Sequence, residues 1–567
     1  MAKRWLPYHQ DEKKSRILSE ELRISPITAQ VLINRRLTEA GPARNFLNPS
    51  LDNIEKPYLL KGMDKAVERI ARALKEGETI TVFGDYDVDG TTSTVLLLHF
   101  LIQLNANCNY YIPDRMSEGY GLNCSAVKKL AEAGTRLVIT VDNGISSYEE
   151  VKLAASLGVD VIVTDHHQPP DALPEAYAVI NPQQESCPYP FKDLAGVGIA
   201  FNLVLALRFF LRKKLFWNGS TEPNVKRYLD LVALGTIADI APLTGINRIM
   251  SVFGLEELSK GRRPGIKALK DVSATGKGII NVGHVGFQLA PRLNAAGRLS
   301  RADSGVKLLM TEDVNEAHNL ASLLDEENKK RQSLEKSIFE SAVQMVENAG
   351  INKKPAIVLA SEEWHQGVIG IVASRLVEKY YRPTILISLS GGIGKGSARS
   401  IEAFHLYDGL ACCSEYLESY GGHKYAAGLS IKKETIKAFT DAFEKSVGSA
   451  ISPDDFIPPI KIDSSLRFDH IDDSLIEELQ RLAPFGVANP EPIFISENVE
   501  VLSSTLLKGS HLKMRLGQGG KVLEAIGFNM PHIEVKEGYN ISLAYSPTFN
   551  VWNGNRSIQL KIRDIKE

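Results

Sequence analysis

Residues 79–92 read TITVFGDYDVDGTT. A β-prone run, Thr79 to Phe83, leads straight into Asp85, Asp87 and Asp89. If the extended path continues, period-two geometry puts the three carboxylates on one face, about 7 Å apart per step. Carboxylates at that density repel, and a bound hard cation or a raised pKa is the usual relief. Asp85-Tyr86-Asp87-Val88-Asp89-Gly90 also matches the opening of an EF-hand loop. Position twelve, counted from Asp85, is Leu96 rather than an acid, and a strand precedes the motif, so the EF-hand is excluded.

Working outward, short β-rich runs at 137–141, 159–164 and 177–180 alternate with helical stretches at 92–104, 125–133 and 148–157. That alternation predicts βαβ units and a mostly parallel sheet, so the chain is α/β. Two further strand ends carry polar groups: Asp142 follows RLVITV, and Asp165, His166 and His167 follow VDVIVT. Ligands of open parallel sheets sit beyond the carboxyl ends of the strands. Adjacent histidines after a strand are expected to point to opposite sides, one toward a metal and one toward substrate, with Asp165 orienting a histidine. The apolar run LDLVALGTIADIAPL (229–243) carries Asp239, which needs a partner in so apolar a setting, either a metal or an arginine. Asp87, Asp89, Asp142, His166 and Asp239 form an oxygen-rich set with one imidazole and no thiolate. It suits manganese or magnesium better than zinc and holds enough carboxylates for two ions.

At 567 residues the chain has room for three or four domains of about 100–200 residues each. Apolar residues make up 44%, enough for real cores. With 66 basic and 68 acidic residues the net charge is −2, which excludes a uniformly basic coat. Positive charge for a polyanion must then be local or supplied by cations. The opening MAKRWLPYHQDEKK has no apolar signal core, and the most apolar stretch, 197–211, is shorter than the ~20 residues of a membrane helix. A cytoplasmic protein with a buried core helix there is expected. Five cysteines without a CxxC pair argue against a disulfide framework.

Farther along, 311–350 reads as a long amphipathic helical connection, in one or two pieces. A second α/β segment starts after Lys354, and a small β-barrel with an Asn553–Gly554 hairpin turn follows the proline-marked linker near 453–459. GGIGKGSARS (391–400) is not a Walker loop, since Gly396 follows Gly394-Lys395 where Ser or Thr is required. It reads as a backbone nest for one phosphate, with Ser397 and Arg399 as donors, or as a hairpin tip. His99 reads as a packed core histidine and Trp364 as packing. Lys508, His511, Lys513 and Arg515 read as a basic strip or a solvated strand face.

Ten blocks together resemble the DHH phosphoesterase superfamily, and within it the RecJ exonucleases. They are GDYDVDGTT (84–92), IPDR with GYG (112–121), TVDNGI (140–145), DHH (165–167), LGTIADIAPL (234–243), PRLNAAGRL (291–299), WHQGVIGIVASRL (364–376), GKGSARS (394–400), GGHKYAAG (421–428) and LAPFGVANPEP (482–492). The last block usually has Gly where Ala488 stands here. The resemblance implies an N-terminal extension (1–60), a catalytic DHH domain (61–310), a helical connector (311–350), a DHH-associated domain (351–450) and an oligonucleotide-binding barrel (451–567). It implies 5′→3′ degradation of single-stranded DNA to mononucleotides, in recombination and repair, with two Mn2+ or Mg2+ ions. By the same resemblance Asp87 and Asp142 hold one ion, and Asp89, Asp142, His166 and Asp239 hold the other, with direct ligation by Asp85 left open. His167 contacts the scissile phosphate; Arg115, Ser397 and Arg399 grip the 5′ phosphate end; Arg298 touches the strand; and His423 reaches substrate phosphate. Single-strand-binding protein and a helicase are implied partners. The competing readings are a DHH phosphoesterase for short oligonucleotides, bisphosphates or pyrophosphate, and a non-catalytic single-strand-binding scaffold.

Overall fold

The apolar run at 79–83 forms strand β1 (Thr79–Phe83), buried over four of its five residues. The computed structural model describes residues 3–115, 117–217, 221–276, 278–299, 303–531, 535–552 and 554–566. Beyond β1 the chain does not stay extended. Asp87 Oδ1 accepts the Gly90 amide at 2.9 Å and caps helix α1 (Val88–Gln103). The predicted face of three aspartates on one extended path is therefore corrected: a side-chain cap satisfies an orphan helix amide and starts the helix four residues early.

Strands β2 (Cys108–Tyr111), β3 (Thr135–Val141), β4 (Asp160–Thr164) and β5 (Ala178–Ile180) join β1 in an all-parallel sheet of order β2-β1-β3-β4-β5. The chain leaves β1 toward β2 and returns to β3 on the other side. The crevice between β1 and β3 is thus the topological switch point, where such sheets bind ligands. The expected core helix forms as α2 (Gly196–Lys213) and packs with α1 and α3 (Leu229–Ala238) in one apolar core. Asp239 is the C-cap of α3.

The chain forms two compact units: Leu6–Gly297, Arg301–Leu324 and Lys461–Glu567 in one, Met1–Trp5, Arg298–Ser300 and Asp325–Ile460 in the other. Helix α4 (Ala290–Leu299) precedes the connector, which is one uninterrupted helix, α5 (Val314–Asn348). Ala317, Ala321 and Leu324 on α5 enter the core of the first unit, whereas Ile338, Ala342 and Val346 enter a core of the second. The second unit carries β6 (Ile357–Ser361), α6 (Ile369–Tyr380), β7 (Thr384–Ser390), β8 (Ile393–Arg399), β9 (Ser419–Gly422) and β10 (Ala426–Lys432). Its sheet order is β9-β10-β8-β7-β6, with only β6 and β7 parallel. The glycine-rich 391–400 segment is mostly strand β8 rather than a loop nest. Only Gly391 and Gly392 take left-handed φ, at the hairpin tip.

The C-terminal strands β11 (Phe494–Leu507), β12 (His511–Gln518), β13 (Lys521–Gly527), β14 (Asn540–Trp552) and β15 (Asn555–Lys566) run in the order β11-β12-β13-β15-β14. The β11–β14 pairing closes them into a five-stranded barrel. Of the expected Asn553–Gly554 turn, Asn553 lies outside the described residues. Helices Glu12–Leu22, Pro26–Asn34 and Ala40–Leu47 share the barrel's core through Leu18, Leu32 and Phe46. Arg248 ties these parts together. Its buried guanidinium donates to the carbonyls of Phe46 (3.2 and 3.1 Å), Arg481 (2.9 Å), Leu482 (2.9 Å) and Ala483 (2.7 Å). Burial, then the charge of Arg35, pushes it down to about 10.

None of the five cysteines is paired. Among the described residues no helix is long and apolar enough to cross a membrane. Ala488 has a φ of 60°, in the left-handed region where a Cβ is strained. Relieving about 1–2 kcal/mol of strain, less the roughly 0.4–1 kcal/mol that glycine returns to the unfolded chain, predicts that Ala488→Gly raises the thermal midpoint by a degree or two. Differential scanning calorimetry checks this, and a lower midpoint would contradict it.

Candidate active site

Three strand ends and the end of α3 converge on the β1/β3 crevice. His166 Nε2 lies 3.1 Å from Asp142 Oδ1, 3.9 Å from Asp89 Oδ2 and 3.9 Å from Asp239 Oδ2. Two sets of ligand atoms, each within 4.8 Å of one another, suit a cation: Asp85, Asp87 and Asp142, and Asp89, His166 and Asp239. A third overlapping set adds His167 to Asp142 and His166. Asp85 Oδ1, Asp142 Oδ1 and His166 Nε2 are buried and make no hydrogen bond among the described residues. Buried polar atoms left unpartnered are costly, so this donor set of carboxylates and one imidazole fits divalent manganese or magnesium.

Backbone geometry sets each carboxylate. Asp142 follows β3 with a φ of 64°, and its amide donates to Thr164 O at 3.0 Å. Gly196, at the start of α2, packs so close that a Cβ there would lie 2.7 Å from Asp142 Cβ. The amides of Gly196 and Val197 donate to Asp89 at 2.6 and 2.9 Å, so the N-terminus of α2 holds that carboxylate. Asn294 Oδ1 on α4 accepts the Val88 amide at 3.2 Å, which places the PRLNAAGRL block behind the aspartate loop. Gly196, Asn294 and Tyr120 were not singled out from the sequence. The Gly-x-Gly of LAGVGIA, opening a long apolar run, was the available signal for Gly196.

The two histidines are not on opposite sides. Their ring centroids lie 4.4 Å apart, because the chain leaves the strand at Thr164. They still differ in partners. Asp165 Oδ1 accepts His167 Nδ1 at 2.7 Å and the amides of His166 (2.7 Å) and His167 (3.1 Å), and Oδ2 accepts the Ile145 amide at 2.9 Å. Asp165 is therefore committed to orienting His167. The Tyr120 hydroxyl donates to Asp142 O at 2.8 Å and lies 3.3 and 3.4 Å from the His167 ring nitrogens. His99 is remote from this cluster in its bonding: its Nδ1 pairs with Tyr228 at 2.8 Å, and burial pushes it down to about 4.

Electrostatics follow from crowding. Burial, then the charge of Asp87, raises Asp89 to about 7. Burial, then Asp89 and Asp87, raises Asp239 to about 8. Asp142 and Asp85 also rise well above the carboxylate range, for burial first and neighbouring aspartates second. Burial, then the charge of His167, lowers His166 to about 4, so it is neutral and able to ligate at physiological pH. Burial opposes charge on His167 as well, but the Asp165 hydrogen bond and charge carry it up to about 9. Burial also pushes Asp165 up, yet its bonds to His167 and the Ile145 amide more than offset that. Burial, then Asp142 and Asp165, pushes the Tyr120 phenol far up.

In the second unit, Ser397 and Arg399 on β8 face the first turn of α6. A Cβ on Gly370 would lie 2.8 Å from Ser397 Oγ and 3.3 Å from Arg399 Nη2. Arg399 donates to Ser397 Oγ at 3.3 Å and Ala398 O at 2.8 Å, and has no carboxylate partner among the described residues. Burial lowers its pKa. Arg298 Nη1 donates to Gly367 O at 3.2 Å, beside the same helix N-terminus, where anions are favoured. His423 is exposed at the β9–β10 hairpin, and Trp364 is buried packing. In the first unit Arg115 stacks over Tyr86 at 5.0 Å. On β12, His511, Lys513 and Arg515 alternate with buried Leu512, Met514 and Leu516, and Lys513 pairs with Glu524 at 3.4 Å.

Family models match three segments: the DHH family N-terminal domain (79–236), the DHHA1 domain (353–449) and the RecJ OB domain (462–564). The chain is 41% identical over 567 residues to the single-stranded-DNA-specific exonuclease RecJ of Bacillus subtilis, covering 99% of this chain and 70% of that protein. The chain belongs to the RecJ family. Two solved RecJ structures from Thermus thermophilus extend the likeness over the whole chain. The complex with Mn2+ has a TM-score of 0.85 at 30% identity and is covered over 79% of its length. The complex with Mg2+ has a TM-score of 0.79 at 29% identity and is covered over 78%.

A pH prediction follows for this RecJ-family chain. Asp89, Asp239 and His167 each have a folded pKa above the unfolded value of 3.8 or 6.5. The folded chain thus binds more protons than the unfolded one between pH 6.5 and about 9, and metal-free stability falls as pH rises through that window. His166, lowered to about 4, has already lost its proton there. Because a divalent ion competes with those protons, the Mn2+-induced rise in thermal midpoint should be larger at pH 8 than at pH 6.5. An equal rise at both would count against the cluster.

Proposed function

We propose that this chain is a single-stranded-DNA-specific 5′→3′ exonuclease that releases mononucleotides by two-metal phosphodiester hydrolysis, in DNA recombination and repair. The observation that carries this reading is the pair of ligand sets sharing the switch-point crevice, Asp85, Asp87 and Asp142 beside Asp89, His166 and Asp239, in which His166 Nε2 and Asp142 Oδ1 lie 3.1 Å apart and neither is hydrogen-bonded among the described residues. In this reading Asp87 and Asp142 hold one ion; Asp89, Asp142, His166 and Asp239 hold the other; and Asp85 borders the first. Divalent ions bound there neutralise phosphoryl oxygens and ease ionisation of water.

The protein groups do the rest. Asp165 keeps His167 protonated at neutral pH, with one N–H committed to the carboxylate and the other available to a developing phosphate charge. Arg298, Ser397 and Arg399, together with Arg115, are assigned to strand phosphates, and His423 to a further phosphate contact. The half-buried Arg399 guanidinium, without a carboxylate partner among the described residues and beside a helix N-terminus, favours a doubly charged 5′ phosphate. The barrel's Lys508, His511, Lys513 and Arg515 are assigned to the downstream strand. The domain division proposed is 1–60, 61–310 (catalytic), 311–350 (connector), 351–450 (DHH-associated) and 451–567 (barrel). Single-strand-binding protein and a helicase are proposed partners, and the cytoplasm the proposed location.

Digestion of an end-labelled single strand with and without Mn2+, beside a duplex control, tests the reading and its polarity. Mononucleotides released from the 5′ end of the single strand alone are expected. Degradation confined to short oligonucleotides would favour another phosphoesterase, and metal-independent binding without cleavage a scaffold. Asp142→Ala should cut turnover at least about a hundredfold while the fold survives, since it removes a ligand shared by both ions; normal turnover by the folded variant would refute the assignment. Arg399→Ala should raise KM for 5′-phosphorylated strands about tenfold or more, the scale of one charge-assisted hydrogen bond, with Mn2+ affinity unchanged. Wild-type kinetics on that substrate would remove Arg399 from the phosphate site.

A further inference from the structure

The metal-site reading above leaves Tyr120 without a role, although its hydroxyl lies inside the cluster. The ring is half exposed, and it stands edge-on to Tyr86 at 6.3 Å and to His167 at 5.7 Å between centroids. The hydroxyl touches two groups at once: the carbonyl oxygen of Asp142, at 2.8 Å, and the imidazole of His167, at 3.3 and 3.4 Å from its two nitrogens.

Asp142 is the residue whose conformation most needs support. Its φ of 64° is one that L residues seldom adopt. The peptide on its N-terminal side is fixed: its amide donates to Thr164 O at 3.0 Å, and the Asn143 side chain donates to Val141 O at 2.9 Å and Phe83 O at 3.3 Å. Thr140 Oγ1 ties the Asn143 carbonyl at 2.7 Å. The carbonyl of Asp142 itself is held by Tyr120. With the preceding peptide fixed, any change of φ at Asp142 would carry that carbonyl and Cβ together, and with Cβ a carboxylate that belongs to two of the three ligand sets.

We propose that Tyr120 is a positioning residue for the metal centre: its O–H holds the Asp142 carbonyl and so keeps the left-handed turn that aims the carboxylate at the ions, while its ring stands edge-on to His167. This inference rests on the proposed metal site. It differs from a strand-contact role, in which the ring would be the working part and the hydroxyl dispensable to metal affinity.

The test is Mn2+ binding to the metal-stripped full-length protein, followed by isothermal titration calorimetry, for wild type and Tyr120→Phe. Circular dichroism and the thermal midpoint verify the fold. The substitution removes one oxygen from a half-exposed ring, so the fold is retained. The expected result is a loss of Mn2+ affinity of about tenfold, the range for a group that orients a metal ligand, with kcat on single-stranded DNA reduced and KM for the strand unchanged. Equal Mn2+ affinity in the two proteins overturns the inference, whatever happens to turnover. A raised KM with unchanged Mn2+ affinity also overturns it and makes Tyr120 a strand contact. Wild-type protein that binds no Mn2+ overturns the metal site itself, and this inference with it.

Discussion

Mutual repulsion among buried carboxylates is the constraint around which the first unit is built. Asp85, Asp89 and Asp142 are almost wholly removed from water, and Asp87 and Asp239 lie beside them. A folded chain tolerates such a group only if protons, positive dipoles or cations offset it. All three are available here. Asp89 and Asp239 are pushed toward neutral pH, the start of α2 directs two amides at Asp89, and the unpartnered oxygens and imidazole nitrogen suit divalent ions.

The fold makes that concentration of charge tolerable by placing it at the crevice where the strand order of the parallel sheet reverses. Strand ends there present side chains and backbone without neighbouring strands to cover them. Apolar packing from α1, α2 and α3 holds the surrounding walls, so the polar groups are positioned by a rigid scaffold. Small residues at contact points complete it: a side chain on Gly196 would collide with Asp142, and one on Gly235 would lie 2.9 Å from Asp89 Oδ1. The histidine pair divides its labour through one carboxylate. Asp165 keeps His167 charged, and the charge on His167 helps keep His166 neutral.

The second unit meets anions by a different device. Arg399 is half-buried next to the first turn of α6 with no carboxylate partner among the described residues, with Ser397 beside it and Arg298 bonded to the loop before the helix. A helix N-terminus and an unneutralised guanidinium both favour negative charge. The arrangement is a strand beside a helix end, not the glycine-rich nest that the local sequence suggests, because β8 is paired on both sides within its sheet.

Local sequence determined the parallel sheet, the core helix at 197–211, the long connector and the membership of the acidic set, because period-two and helical patterning and the residue types at strand ends are local properties. Its errors arose where a local competitor decided the path. Asp87 captured the Gly90 amide and ended the extended run, and the chain turned after Thr164 and brought both imidazoles side by side. Only the tertiary structure could show that Asp85 lies with Asp87 and Asp142, that Tyr120 and Gly196 reach Asp142, and that the N-terminal helices share a core with the barrel. Those relations link residues distant along the chain through packing and electrostatics, and no sequence period encodes them.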